Sequence, residues 1–121
     1  IYVQDIKTGQ VERLTFEGNY NTQPSWSPAG DRIAYTSMAG SRNDIFTIDL
    51  KRRQPLQLTQ DTGNNESPSW SPDGSLIAFS STREGSSRIY VMTAFGADQR
   101  RLLTMSGDQS SPSWSPNLSK Y

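Results

Sequence analysis

Carboxylates and hydroxyls are the side chains through which this sequence could do chemistry, because its 121 residues contain neither histidine nor cysteine. A Ser-His-Asp triad, a thiol nucleophile and the usual zinc ligands are thereby excluded. The serines never fall into a Gly-x-Ser-x-Gly pattern, and no glycine-rich phosphate loop with a following Lys-Ser or Lys-Thr occurs. A general acid and base made from two carboxylates would remain, but the acids stand in the wrong places for it. Asp73 precedes Gly74, Asp31 follows Gly30, Asp98 follows Gly96 and Ala97, and Asp108 follows Gly107. Short Asp and Asn side chains bond the local backbone at turns, so these carboxylates read as turn formers. No metal-ligand signature is present, no cofactor is expected, and the chain is read as no enzyme.

The tryptophans could form a row on which sugars or bases stack. Their context supports another reading. Pro24-Ser25-Trp26, Pro68-Ser69-Trp70 and Pro112-Ser113-Trp114 recur with a step of 44 residues. The same step relates Ile1-Tyr2-Val3 to Ile45-Phe46-Thr47 and Ile89-Tyr90-Val91, Ile33-Ala34-Tyr35 to Ile77-Ala78-Phe79, and Gly30 to Gly74. A recurrence at about 40 to 45 residues is the period of propeller blades, each a small sheet that buries its faces only against its neighbours. A tryptophan locked at one station of every repeat fits a packing residue between blades.

Within a repeat the apolar residues alternate, so the segments are strands, and no window supports a helix of normal length. From Pro68 onward, residues 69–71 form a short first strand, and Ser71-Pro72-Asp73-Gly74 places proline and glycine where a type I turn needs them. Residues 76–81 form the second strand, with Ile77 and Phe79 on one face and Ala78 and Ser80 on the other. Residues 89–93 form the third, and after a turn through Phe95-Gly96-Ala97 residues 100–104 form the fourth. Four antiparallel strands make one blade. On this scheme residues 1–6 and 11–15 are the last two strands of an incomplete blade, and residues 112–121 supply a closing first strand.

The fold expected is therefore all-β: one partial β-propeller domain over residues 1–121, with about 2.75 repeats of 44 residues. Its parts are an incomplete blade (1–23), two full repeats (24–67 and 68–111) and a closing strand (112–121). Closed propellers need roughly four to eight blades, so the chain is read as a piece of a propeller or one part of an oligomer, and self-association of the open arc is expected.

Net charge is +0, which gives no electrostatic case for nucleic acid or for an anionic membrane. Lys51-Arg52-Arg53 and Arg100-Arg101 are the basic clusters, read as solvated turn and edge-strand residues that discourage edge pairing. No apolar run reaches transmembrane length, so direct membrane insertion is not expected. Absence of cysteine is compatible with a reducing or an oxidising compartment.

The framework repeats while the connections between blades vary. Residues 16–23, 60–67 and 105–111 share little, and connecting loops are where binding residues concentrate. Because each leads into the innermost strand of the next blade, their last residues should ring one mouth of the central channel. Tyr20, Asn21, Thr22, Gln23, Asn65, Glu66, Ser67, Gln109 and Ser110 form the expected partner-binding patch, with Tyr20 as an aromatic anchor and Lys7 and Gln99 as inert positions on the opposite face. The alternative, that these are solvated connections rich in turn-forming Gly and Asn, stands beside it.

Trp-Ser-Pro-Asp-Gly followed by Ile-Ala-Phe-Ser-Ser at 70–81, with Ile89-Tyr90-Val91-Met92, resembles the repeat shared by the TolB propellers, by propellers of prolyl-oligopeptidase-type peptidases and by tricorn protease. Gly-Asn-Asn-Glu-Ser-Pro-Ser-Trp at 63–70 and the ending Pro-Ser-Trp-Ser-Pro-Asn-Leu at 112–118 resemble the TolB family in particular. That resemblance implies a six-bladed ring, a periplasmic location and a scaffold role in the Tol-Pal system. There the propeller face binds the peptidoglycan-associated lipoprotein Pal, and other Tol proteins are engaged through an N-terminal domain. The other branch implies an accessory propeller that gates substrates for a serine peptidase.

Overall fold

A computed structural model describes residues 1–4, 8–13 and 20–102. Its elements are all strands. They run β1 (Tyr2–Gln4), β2 (Val11–Arg13), β3 (Tyr20–Trp26), β4 (Arg32–Ala39), β5 (Arg42–Asp49), β6 (Pro55–Gln57), β7 (Asn65–Trp70), β8 (Leu76–Ser81), β9 (Arg88–Thr93) and β10 (Arg100–Arg101). They form a two-stranded sheet β1-β2 and two four-stranded sheets, β3-β4-β5-β6 and β7-β8-β9-β10, with every pairing antiparallel. The expected closing strand near residues 112–115 lies outside the described residues, as do residues 5–6, 14–15 and 103–104 of the expected strands 1–6, 11–15 and 100–104.

The hairpins follow from local chemistry. In the second four-stranded sheet, Gly74 takes φ +77° and donates its N–H to the Ser71 carbonyl at 2.9 Å, a backbone geometry that glycine reaches without a Cβ penalty. Asp73 Oδ1 then accepts from Ser71 Oγ (2.8 Å), Ser75 N (3.0 Å) and Ser75 Oγ (2.7 Å). The first sheet builds the same turn with its acid displaced: Ser27 Oγ donates to Asp31 Oδ1 at 2.8 Å, and Gly30 N to the Ser27 carbonyl at 2.9 Å.

Both faces of each central strand are covered, so β8 is buried from Ile77 to Ser81 rather than on one face alone. Alternation still sorts the faces. Ile33, Tyr35 and Ile48 pack toward Ile1 and Val3 of the small sheet. Ala34 and Ile45 face the other way and meet Trp70, Ile77, Phe79, Tyr90 and Met92 of the next sheet. Tyr35 stacks on Phe46 at 5.8 Å and Phe79 on Tyr90 at 6.0 Å, the same pair one blade apart. Large aromatics thus project from each blade onto aliphatic residues of the sheet before it, as interdigitating packing requires.

The blades fan out from an inner edge. β3 and β7, the first strands of their sheets, pack against each other, whereas β6 and β10 at the far edges make no contact among the described residues. A half-buried polar seam lies between the two sheets. Asp44 Oδ1 accepts from Thr59 Oγ1 (2.8 Å) and Asn65 Nδ2 (3.1 Å), Arg83 Nη2 donates to Asn65 Oδ1 (3.2 Å) and Gln99 Oε1 (2.9 Å), and Gln99 Nε2 donates to the Leu58 carbonyl (2.8 Å). Arg83 also lies over the Tyr90 ring at 4.4 Å, and burial lowers its pKa.

Candidate functional site

Tyr20, Asn21, Thr22, Gln23, Asn65, Glu66 and Ser67, expected on loops before the inner strands, are strand residues. β3 begins at Tyr20, whose backbone pairs with Met38, and β7 begins at Asn65, so the first strands start well before the short segment expected at residues 69–71. Each contains a register shift, between Thr22 and Ser25 and between Glu66 and Ser69. Pro24 and Pro68 sit at these shifts; proline has no N–H for a ladder and is tolerated in sheets at edges and bulges.

The bulges re-aim two residues. Gln23 and Ser67 adopt φ +54° and +55°, and they meet across the blade junction. Gln23 Oε1 accepts from Thr36 Oγ1 at 2.6 Å and from the Ser67 N–H at 3.0 Å. Alongside, the Asn43 N–H donates to Asn64 Oδ1 at 2.9 Å and Asn43 Nδ2 donates to Glu66 Oε1. Ser80 Oγ donates to the Glu66 carbonyl at 3.2 Å.

Around these contacts the surface is polar. A depression of about 770 Å³ is lined by Asn64, Glu66, Ser80, Thr82 and the 85–87 turn. Gln23 is exposed, and Asn21, Thr22, Glu66 and Ser67 are half-buried. Asn65 departs from expectation: it is fully buried, donating to Asp44 and Thr62 and accepting from Arg83, so it serves the seam and presents nothing to a partner. Gln109 and Ser110 lie outside the described residues. Sequence reasoning passed over Thr36, Asn43, Ser80 and Thr82; the hydroxyl shared by Thr36 and Ser80 at one repeat station was the available clue.

Gln99, expected to be inert toward the partner, has a structural role: its amide ties Leu58 to Gly96 and receives Arg83. Lys7, the other, lies outside the described residues.

Asp31, Asp49 and Asp73 are committed to turns. Three donors hold the Asp73 carboxyl down to about 2, led by the Ser75 backbone N–H, and the N–H groups of Arg52 and Lys51 lower that of Asp49. Such groups are held ionised and bonded, the opposite of what a general acid needs. Among the described residues no three His, Cys, Asp or Glu side chains converge, and no helix is long and apolar enough to cross a membrane.

Comparison with known proteins adds to this geometry. The family described as "TolB beta propeller domain" matches residues 1–118. The Tol-Pal system protein TolB of Myxococcus xanthus (strain DK1622) is 53% identical over 36 residues, which cover 28% of this chain and 8% of that protein. The structure of putative TolB from Agrobacterium tumefaciens superposes with a TM-score of 0.88 and 27% identity over 96% of this chain and 42% of that one. TolB from Acinetobacter baumannii gives a TM-score of 0.82 and 29% identity over 96% and 29%. The chain thus spans less than half the length of these solved relatives.

Proposed function

This chain belongs to the TolB beta-propeller domain family, and from that membership we propose that it is a noncatalytic periplasmic interaction scaffold of the Tol-Pal system. It binds the peptidoglycan-associated lipoprotein Pal at the inner-strand end of its blades, within a six-bladed ring, and so supports outer-membrane integrity and envelope constriction. The match over residues 1–118 carries this reading. The surface agrees with it in chemistry: Gln23, Glu66 and Ser67 offer donors and acceptors fixed by bulged strands, and a pre-set polar surface loses little conformational freedom on binding. Contacts with other Tol proteins belong to a separate N-terminal domain in this reading.

The same match favours a scaffold over a substrate gate of a serine peptidase. The test is surface plasmon resonance of this chain over immobilised Pal periplasmic domain. Saturable binding that weakens when Gln23 and Glu66 are both replaced by alanine is expected; binding indifferent to both, or peptide hydrolysis by the purified chain, would overturn the assignment.

A further inference from the structure

The third strand of one blade reaches the inner strand of the next. β4 and β5 are joined through Gly40 and Ser41, so that Ala39 pairs with Arg42 and Met38 with Asn43. Asn43 is thereby fixed as the second residue of β5. Strand alternation sets it on the same face as Ile45, which belongs with Trp70 and Ile77 to the cluster between the two blades.

Asn43 makes two bonds across that junction. Its backbone N–H donates to Asn64 Oδ1 at 2.9 Å, and its side-chain Nδ2 donates to Glu66 Oε1. Among the described residues the side chain of Asn43 bonds nothing else. Glu66 is meanwhile held by its own blade: its backbone pairs with Ser80, and its carbonyl accepts from Ser80 Oγ at 3.2 Å. One blade therefore fixes the backbone of Glu66 and the blade before it fixes the carboxylate. Oε1 is occupied by Asn43, whereas Oε2 takes no hydrogen bond among the described residues. That carboxylate is the one charged group lining the depression it shares with Asn64, Ser80, Thr82 and the 85–87 turn.

Blade packing does not require this pair. Thr22 and Ser110 stand one step of 44 residues from Glu66, and Ser87 one step from Asn43, so neither the acid nor the amide recurs. The junction also has fastenings of its own. The Asn43 bond to Asn64 uses the backbone, Gln23 Oε1 accepts the Ser67 N–H at 3.0 Å, and the Ser25 carbonyl accepts Trp70 Nε1 at 2.9 Å. A glutamate already held has less rotamer freedom to lose when a partner binds.

We infer that Asn43 is a positioning residue for the partner surface: it occupies Oε1 of Glu66 and so presents Oε2 to a hydrogen-bond donor of the partner. The inference rests on the Pal reading for the partner and on the Asn43–Glu66 bond for the positioning. Asn43→Ala should weaken binding to immobilised Pal periplasmic domain about fivefold. Asn43→Asp, of the same size but with an acceptor in place of the donor, should weaken it at least as much. In a Glu66→Ala background, with the chain concentration raised to reach saturation, Asn43→Ala should change affinity no further. A readout that needs no Pal is the three-bond nitrogen-to-Cγ coupling about Glu66 χ1, which should report one rotamer in the unaltered chain and averaging in Asn43→Ala. Equal losses with and without Glu66, as general unfolding would give, wild-type affinity in Asn43→Asp, or couplings that Asn43→Ala leaves unchanged would overturn the proposal. If the unaltered chain did not bind Pal, the Pal reading would fail and the couplings would decide the positioning by themselves.

Discussion

The indole Nε1 of Trp70 donates to the backbone carbonyl of Ser25 at 2.9 Å, joining the inner strand of one blade to the inner strand of the blade before it. Trp70 is 7% exposed and belongs to the cluster between the two blades, while Trp26, at the same station one repeat earlier, is 49% exposed. Of these two tryptophans, Trp70 is thus the one that clasps the blade before it.

Replacing Trp70 with phenylalanine should destabilise the chain by about 1 to 2 kcal/mol, because the ring stays packed while the Ser25 carbonyl loses a buried donor. Trp70→Ala should cost about 3 to 5 kcal/mol. Trp26→Phe should stay within about 0.5 kcal/mol, as at exposed positions generally. Urea unfolding midpoints of the three variants check the ranking.

Neighbours Asn65 and Glu66 should behave differently. Asn65→Ala strips partners from Asp44 and Arg83 in the seam and should cost about 1 to 3 kcal/mol of stability while leaving Pal affinity unchanged. Glu66→Gln keeps an acceptor for Asn43, so it should preserve stability and reduce Pal affinity. Thermal unfolding and surface plasmon resonance on the same two proteins separate the effects.

The Asp73 carboxyl titrates at about 2 when folded against 3.8 for the free group. Its folded pKa is depressed, so the stability it contributes is complete above 3.8 and is lost as pH falls toward 2. Asp73→Asn should flatten the pH dependence of stability in that window and leave it unaltered at neutral pH slopes; urea unfolding at stepped pH reads this directly.

Tyr2, Val11 and Trp26 are exposed apolar side chains on the first two sheets, at 66%, 56% and 49%. Exposed apolar surface of this kind promotes association, so sedimentation velocity of this chain should show a mass that rises with concentration through the micromolar range. Trp26→Gln should lower that association without loss of fold.

Much of the architecture was legible before any coordinates. The alternation of Ile77 to Ser81, the turn Ser71 to Gly74 and the recurrence of aromatics at 35 and 79 and at 46 and 90 are local or periodic, and that is what a one-dimensional reading can see; that 35 stacks on 46 and 79 on 90 came from the strand register. The first strand of the second full repeat begins before residues 69–71, because the chain bulges at Pro68, as it does at Pro24, and goes on pairing beyond it.

The amino-acid order alone determined a strand protein of repeated blades with Asp31 and Asp73 at its turns. Only the tertiary structure decided which of two equivalent tryptophans is buried, that Asn65 is a seam residue beside a half-exposed Glu66, and that Arg32 rests on Phe95. Each of those outcomes depends on which blade face meets which neighbour, and such non-local contacts between distant residues leave no period in the chain. They are settled by packing density and by the need to pair buried polar groups once the sheets have come together.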